Sequence, residues 1–310
     1  MNKKALIEKP SPIFIIGSGR SGTTMIGEIL TQLGVGKSFE GHVVGILSKK
    51  FGNKTLSKEN AQKAIKILNS HHAIRVRGAT LEISEIHSPF SLRKILETSF
   101  TKVAKNSGQN HWIEKTPFYI DDINSVLAIF PDAKFIWCIR DGRDVALSVF
   151  KKSWGANNIY VAAKLWAKKN NHLNVSQLIR NENLLRIYYE QFLSAPKKEI
   201  IKIVNFVNEG PIANEESIIF DLPILQNNTN KWISALSAHQ KLMFETAAFD
   251  VLRQHSYTTL NETKPAVNDF IKLGYTLHDK LILCSHLLKV NVIDRIQVSL
   301  RIKKPFAERN

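Results

Sequence analysis

PIFIIGSGRSGTTMIGEIL, residues Pro12 to Leu30, is the stretch that decides the fold. The apolar run Ile13-Phe14-Ile15-Ile16 breaks into Gly17-Ser18-Gly19-Arg20-Ser21-Gly22-Thr23-Thr24. Ile26, Ile29, Leu30 and Leu33 then recur at helical spacing. The pattern reads as a buried strand, a glycine-rich turn and the start of a helix. A helix start presents amides without intrahelical partners and the positive end of the helix dipole, so this turn is a cradle for phosphate.

The spacing Gly17-x4-Gly22 matches the nucleotide-binding P-loop, but Thr23 stands where that motif carries lysine. Arg20, inside the turn, supplies the cation instead. The loop therefore points to a nucleotide phosphate outside the usual triphosphate chemistry.

Three further strand candidates follow: His111-Trp112-Ile113-Glu114-Lys115, Lys134 to Ile139, and Leu184 to Tyr189. Helical patterns separate them, over Asp121 to Phe130, Asp144 to Lys151 and Ile159 to Ile179. Apolar strands alternating with helices predict an α/β fold, a P-loop-type parallel sheet with helices on both faces. Ligands of such sheets bind beyond the carboxyl ends of the strands. Gly17 to Thr24, Lys115-Thr116-Pro117 and Arg140 all fall there. Ser38 to Asn110 is mostly helical with no clear strand, and reads as a substrate-facing insertion of about 38–110 within a domain of residues 1–260. Residues 261–310 read as a basic C-terminal extension, helix-like over Lys280 to Leu288 and strand-like at Ile296, Val298, Leu300 and Ile302.

The composition is that of a soluble globular chain, with 44% hydrophobic and 23% charged residues among 310. The start, MNKKALIEKPSP, lacks the apolar core of about 7 to 15 residues of a secretory signal. No window approaches the roughly 20 apolar residues of a membrane span. The two cysteines, Cys138 and Cys284, do not suggest a disulfide framework, and Cys138 lies in an apolar run that predicts a buried free thiol. A cytoplasmic protein is expected. The net charge of +16 is compatible with a polyanion, an anionic membrane surface or a highly phosphorylated cofactor. Its lysines are dispersed and no nucleic-acid-binding motif accompanies them, so nucleic acid is not an expected partner.

The second informative segment is FIWCIRDGRDVALSVF, Phe135 to Phe150. Arg140 ends a buried strand, and Ser148 lies eight residues later on the helix that follows. A guanidinium fork with a nearby hydroxyl grips a second phosphate. A magnesium-dependent nucleotide hydrolase carries aspartate directly after such a strand. Here Arg140 comes first and Asp141 second.

Two phosphate grips without the P-loop lysine resemble the sulfotransferases that use 3′-phosphoadenosine 5′-phosphosulfate (PAPS). The resemblance runs from about Pro12 to Tyr257. It implies that Gly19, Arg20, Ser21, Gly22, Thr23 and Thr24 surround the 5′-phosphosulfate. Arg140 and Ser148 would hold the 3′-phosphate, and Tyr189, in IYYEQFLSAPKKEI, would lie near the adenine. RSGTT, RDGRDVALS and Trp154-Gly155 look most like the bacterial branch, similar to the glycan and tyrosylprotein sulfotransferases. The cytosolic drug-metabolising branch instead carries lysine in the loop and a catalytic histidine where this chain has Pro117.

The accepting hydroxyl must lose a proton, which requires a base within about 3 Å. Glu40, in SFEGHVVG, lies where the glycan and tyrosylprotein branches keep a catalytic glutamate. His42 is the alternative base. Lys115, in EKTP, can donate where charge develops on the transferring group. Lys231, in NNTNKWISALS, resembles a lysine near the cofactor phosphates in the tyrosylprotein branch. Trp112, Trp137 and Trp166 read as core, and His71, His72 and His172 lack metal-ligand spacing, so no metal is expected.

The resemblance implies transfer of a sulfuryl group to a hydroxyl of a glycan, glycolipid or other small acceptor, with protein tyrosine as the alternative acceptor. A P-loop kinase-like enzyme and a non-enzymatic polyanion or membrane-surface binder are the rival readings. The basic tail has two readings, a peripheral membrane contact or packing across the sheet edge.

Overall fold

The computed structural model describes residues 11–150, 155–171, 175, 177–211 and 228–288. The chain divides into two compact units, Met1–Arg140 with Lys169–Thr229, and Asp141–Lys168 with Asn230–Asn310.

The first unit is built on a five-stranded sheet. Five successive buried residues, Ile13–Gly17, form β1. The others are β2 (Lys37–Phe39), β3 (Trp112–Glu114), β4 (Lys134–Ile139) and β5 (Leu184–Tyr188). Every pairing is parallel, in the order β2-β3-β1-β4-β5. Ile13 stands opposite Ile113 on one side and Lys134 on the other. β1 and β4 are buried along their whole length because both faces are covered, as parallel sheets require.

Alternation along β1 divides the core. Ile13 and Ile15 join Ile26, Ile29 and Leu30 of the Thr23–Gln32 helix and Ile200, Ile203 and Val204 of the Pro196–Asn208 helix. Phe14 points the other way, into an aromatic cluster with Trp112, Phe130 and Phe135 at centroid distances of 5.5 to 6.0 Å. Phe39 and Phe100 extend it, 5.0 Å apart.

The chain leaves β1 toward β2 on one side, then crosses from β3 past β1 to β4 on the other. This reversal opens a crevice at the carboxyl end of β1, where the glycine-rich turn lies.

Strand β2 departs from the sequence expectation. Its three residues lack an apolar run, and only Phe39 is buried. Between β2 and β3 the insertion is helical as expected, with helices Val44–Phe51, Lys58–Ser70 and Leu92–Lys105. Ser57 and Ser91 cap the latter two by accepting the amides of Asn60 and Lys94.

The second unit has its own core, in which Val145, Trp166, Trp232, Phe244 and Leu252 pack together. Its elements include helices Gly142–Val149, Ala238–Gln254 and Asp269–Leu288. A capping box between Ser237 and Gln240 opens the second of these. Tyr275 of the third packs on Tyr160 and His239, 6.0 and 6.3 Å between centroids. The helix expected to reach Ile179 spans Ile159–Asn170. The strand-like alternation from Ile296 to Ile302, together with Trp154 and His172, lies outside the described residues. Among the described residues no helix is long and apolar enough to cross a membrane.

Candidate functional site

The turn after β1 is closed by a 2.6 Å hydrogen bond between the buried hydroxyls of Ser18 and Ser21. Arg20 adopts a left-handed conformation, φ 73°, and its side chain is exposed. Gly22 precedes the Thr23–Gln32 helix at φ 90°, and no side chain caps that helix. Its start therefore has no side-chain cap, the condition under which a helix start can serve as an anion cradle. A Cβ on Gly22 would stand 2.6 Å from the ring of Tyr189, so glycine serves both the turn and the close approach.

Tyr189 was expected to end a strand. Instead it opens the Tyr189–Ser194 helix directly after β5, which swings its ring over Gly22. Arg140, at the end of β4 and 6% exposed, places its guanidinium 4.4 Å from the centroid of that ring. The same guanidinium donates to the carbonyls of Arg20 at 3.1 Å and Asn228 at 2.6 Å. Asn228 donates to the Tyr189 hydroxyl at 2.8 Å. Gly22, Arg20, Arg140 and Tyr189 thus converge, although only the first two are close in sequence.

A second cluster adjoins Thr24 at the end of β3. Lys115, buried, donates to Thr24 Oγ1 at 3.2 Å and to the Glu40 carboxylate. Glu40 also pairs with His42 Nε2 at 3.2 Å. The His42 hydrogen bond and the Lys115 ammonium hold the Glu40 carboxyl down to about 2. The Glu40 hydrogen bond in turn raises the His42 imidazole above its ordinary 6.5.

Behind this pair sits Glu114, fully buried. It accepts hydrogen bonds from the amides of Gly41 (2.6 Å) and Thr116 (3.0 Å) and from the Thr116 hydroxyl (2.7 Å). Burial outweighs these bonds and pushes its carboxyl up to about 7. Thr116 Oγ1 accepts from the His42 amide at 3.3 Å, and the buried Tyr119 hydroxyl accepts from the Val44 amide at 3.0 Å. Thr116 lies at the strand end where ligands are expected, whereas Glu114, Tyr119 and Asn228 join the cluster only in the folded structure. An acidic residue ending an otherwise apolar strand was the one local signal available.

Arg20, Ser21, Gly22, Thr23, Thr24, Glu40, His42, Lys115, Arg140 and Tyr189 all belong to the first unit, as does Gly19. Ser148 and Lys231 belong to the second, where Ser148 is half-buried on the Gly142–Val149 helix and Lys231 is exposed. That helix begins at Asp141, whose carboxylate accepts from the amide and guanidinium of the buried Arg143 at 2.7 to 2.9 Å. Asp144 accepts the Trp232 amide at 3.0 Å, which ties Lys231-Trp232 to this helix.

Two solved structures share the fold. The sulfotransferase domain from the curacin biosynthetic pathway superposes with a TM-score of 0.54 at 19% identity, over 81% of this chain and 99% of that one. The sulfotransferase domain of the Synechococcus PCC 7002 olefin synthase gives 0.54 at 20% identity, over 81% and 97%. No curated protein matches the chain by sequence. The model of the sulfotransferase family matches residues 12–210, which hold the cradle, both clusters and the whole sheet. The chain belongs to the sulfotransferase family.

Proposed function

We propose that this protein transfers a sulfuryl group from PAPS to a hydroxyl of a glycan, glycolipid or other small acceptor. The observation that carries the reading is the meeting of two groups of residues at one helix start. On one side Arg140 and Tyr189 close over Gly22, and on the other Lys115 joins Thr24 to Glu40.

The residues fit the nucleotide. The cradle from Ser18 to Thr24 contains no carboxylate, its helix start is uncapped, and an aromatic ring and a guanidinium lie beside it. Gly19 to Thr24 would hold the 5′-phosphosulfate, Arg140 the 3′-phosphate and Tyr189 the adenine. Bound there, the nucleotide supplies the sulfuryl group and takes the bond electrons onto its 5′-phosphate.

Glu40 accepts the proton of the attacking hydroxyl. Tied to Lys115 and His42, its carboxylate is ionised but weakly basic. Lys115 resolves this, because the ammonium that restrains Glu40 also touches the start of the cradle helix. As negative charge grows beside Thr24, Lys115 turns toward it and releases Glu40, so basicity rises as the proton departs. Arg20 and the amides of Ser21 to Thr24 share the developing charge. His42 keeps Glu40 oriented and is the alternative base.

A peripheral membrane contact by the C-terminal region belongs to the same reading. Its support is the Asp269–Leu288 helix, which leaves Phe270 82% and Leu281 70% exposed, followed by a basic stretch of sequence. Co-sedimentation with anionic vesicles, absent with neutral ones, tests it.

The test of the donor is a thermal shift with 3′,5′-adenosine bisphosphate against AMP and ATP. Stabilisation by a specific site grows as RT ln(1 + [L]/Kd). A shift with the bisphosphate that exceeds the shift with AMP and ATP supports PAPS, and equal shifts reject it.

A further inference from the structure

The segment from Glu40 to Val44 leaves the sheet at the end of β2 and enters the Val44–Phe51 helix, so its amides have neither a strand partner nor a preceding helical carbonyl. A buried amide left without an acceptor is costly. Three of these amides are taken by side chains from one short segment that runs from the last residue of β3 to Tyr119. Glu114 accepts Gly41 N–H at 2.6 Å, Thr116 accepts His42 N–H at 3.3 Å, and Tyr119 accepts Val44 N–H at 3.0 Å. Thr116 donates its own hydroxyl to Glu114, which locks two of the acceptors together. The fit is close, since a Cβ on Gly41 would stand 2.7 Å from Glu114 Oε1 and 3.2 Å from the Phe39 ring. From the same segment Lys115 reaches forward to the Glu40 carboxylate.

We propose that Glu114, Thr116 and Tyr119 are positioning residues for the Glu40–Val44 loop, each holding one backbone amide so that Glu40 stays within reach of Lys115 and Thr24. The proposal rests on the reading of Glu40 as the proton acceptor. The charged groups facing Glu40 are His42 and Lys115, and those facing His42 are Glu40, Glu114, Lys115 and His71. Glu114 touches no reacting group; it acts through Gly41 and Thr116.

Tyr119→Phe removes one amide acceptor and no charge near neutral pH. Glu114→Gln keeps the shape of the side chain but replaces one acceptor oxygen with a donor facing Thr116 N–H. Two readouts apply to the full-length protein. The first is the titration of the His42 imidazole by proton NMR, which needs neither cofactor nor acceptor. The second is release of labelled sulfate from PAPS with water as acceptor. In Tyr119→Phe the His42 midpoint should fall toward 6.5, because a loosened loop loses the Glu40–His42 bond. Sulfate release should drop by about 10- to 100-fold in Glu114→Gln, the size of effect known for hydrogen-bond partners that orient metal ligands, and by less in Tyr119→Phe. Affinity for 3′,5′-adenosine bisphosphate should stay within about twofold in both.

An unmoved His42 midpoint in folded Tyr119→Phe overturns the proposal, even if sulfate release falls, since a purely structural role lowers activity without retuning His42. If Glu114→Gln does not fold, Tyr119→Phe alone decides. Full sulfate release by Glu40→Gln would reject Glu40 as the base and leave the His42 readout to judge the positioning.

Discussion

Lys115 and Glu40, 75 residues apart in the chain, meet as an ion pair in which the lysine side chain is 10% exposed and the carboxylate 41%. That ammonium shares with the His42 hydrogen bond in holding the Glu40 carboxyl down, and it also reaches Thr24. Glu40→Gln should lower sulfate release from PAPS by about 10²- to 10⁴-fold, the usual worth of a positioned base. Affinity for 3′,5′-adenosine bisphosphate should be preserved. Retained turnover in Glu40→Gln would remove it from the chemistry.

Lys115→Ala should lower the rate by about 10²- to 10³-fold, because it deletes a donor to developing charge. It should also free the Glu40 carboxyl from one of the groups holding it near 2, raising its midpoint toward 4.5. Carboxyl carbon NMR reads that midpoint, and an unmoved value would separate Lys115 from Glu40.

The pH profile distinguishes the two candidate bases. Glu40, held to about 2, is ionised throughout neutral pH and contributes no acid limb there. The His42 imidazole, raised by Glu40, stays protonated past 6.5. With Glu40 as base, the rate should be flat or fall as pH rises through the His42 midpoint, because the Glu40–His42 pair weakens. With His42 as base, the rate should climb about tenfold per pH unit below that midpoint. Sulfate release measured between about pH 5 and 8 reads the slope directly.

Arg140→Ala should weaken 3′,5′-adenosine bisphosphate binding by about 10- to 100-fold, equivalent to one or two charge-assisted hydrogen bonds. Part of that loss would come from the Tyr189 ring, which the guanidinium holds over the cradle. Calorimetry gives the affinity, and an unchanged Kd would exclude Arg140 from the nucleotide site.

Glu114 makes stability depend on pH with a defined sign. Its folded value of about 7 lies above the ordinary 4.5, so the unfolded chain ionises first as pH rises. Its contribution is fully present below the unfolded value and is lost as pH rises through the folded one. Relative to Glu114→Gln, the wild-type protein should lose roughly 3 kcal/mol between about pH 4.5 and 8. Urea unfolding of both proteins at the two pH values gives the difference, and a pH-independent difference would mean that the buried carboxylate is not destabilised.

The cradle was legible in the chain because its parts are local. Ile13 to Ile16 form a strand wherever two faces are covered, Gly22 supplies the left-handed turn, and Ile26, Ile29 and Leu30 repeat on one helix face. β4 was legible for the same reason, and its six residues are all buried. β2 was not, since two of its three residues are half-buried and it owes its existence to the edge of β3. The sequence carried Tyr189 as the end of a strand, yet the ring's place over Gly22 depends on a helix starting one residue earlier than the apolar run suggests.

The α/β class, the glycine-rich turn between strand and helix, and the lack of a P-loop lysine are already specified by the chain, and they point to the sulfotransferases. Those features depend on hydrophobic periodicity, glycine conformation and residue type over a few positions. Only the tertiary structure decided that Glu114 is a buried carboxylate clasping Gly41, that Arg140 reaches Arg20 and that Lys115 bridges Thr24 and Glu40. Burial and hydrogen bonding between residues 73 to 120 positions apart follow from the strand order, which brings the ends of β1, β2, β3 and β4 together. No local stretch of the chain encodes that order, because it is set by which strands share an edge.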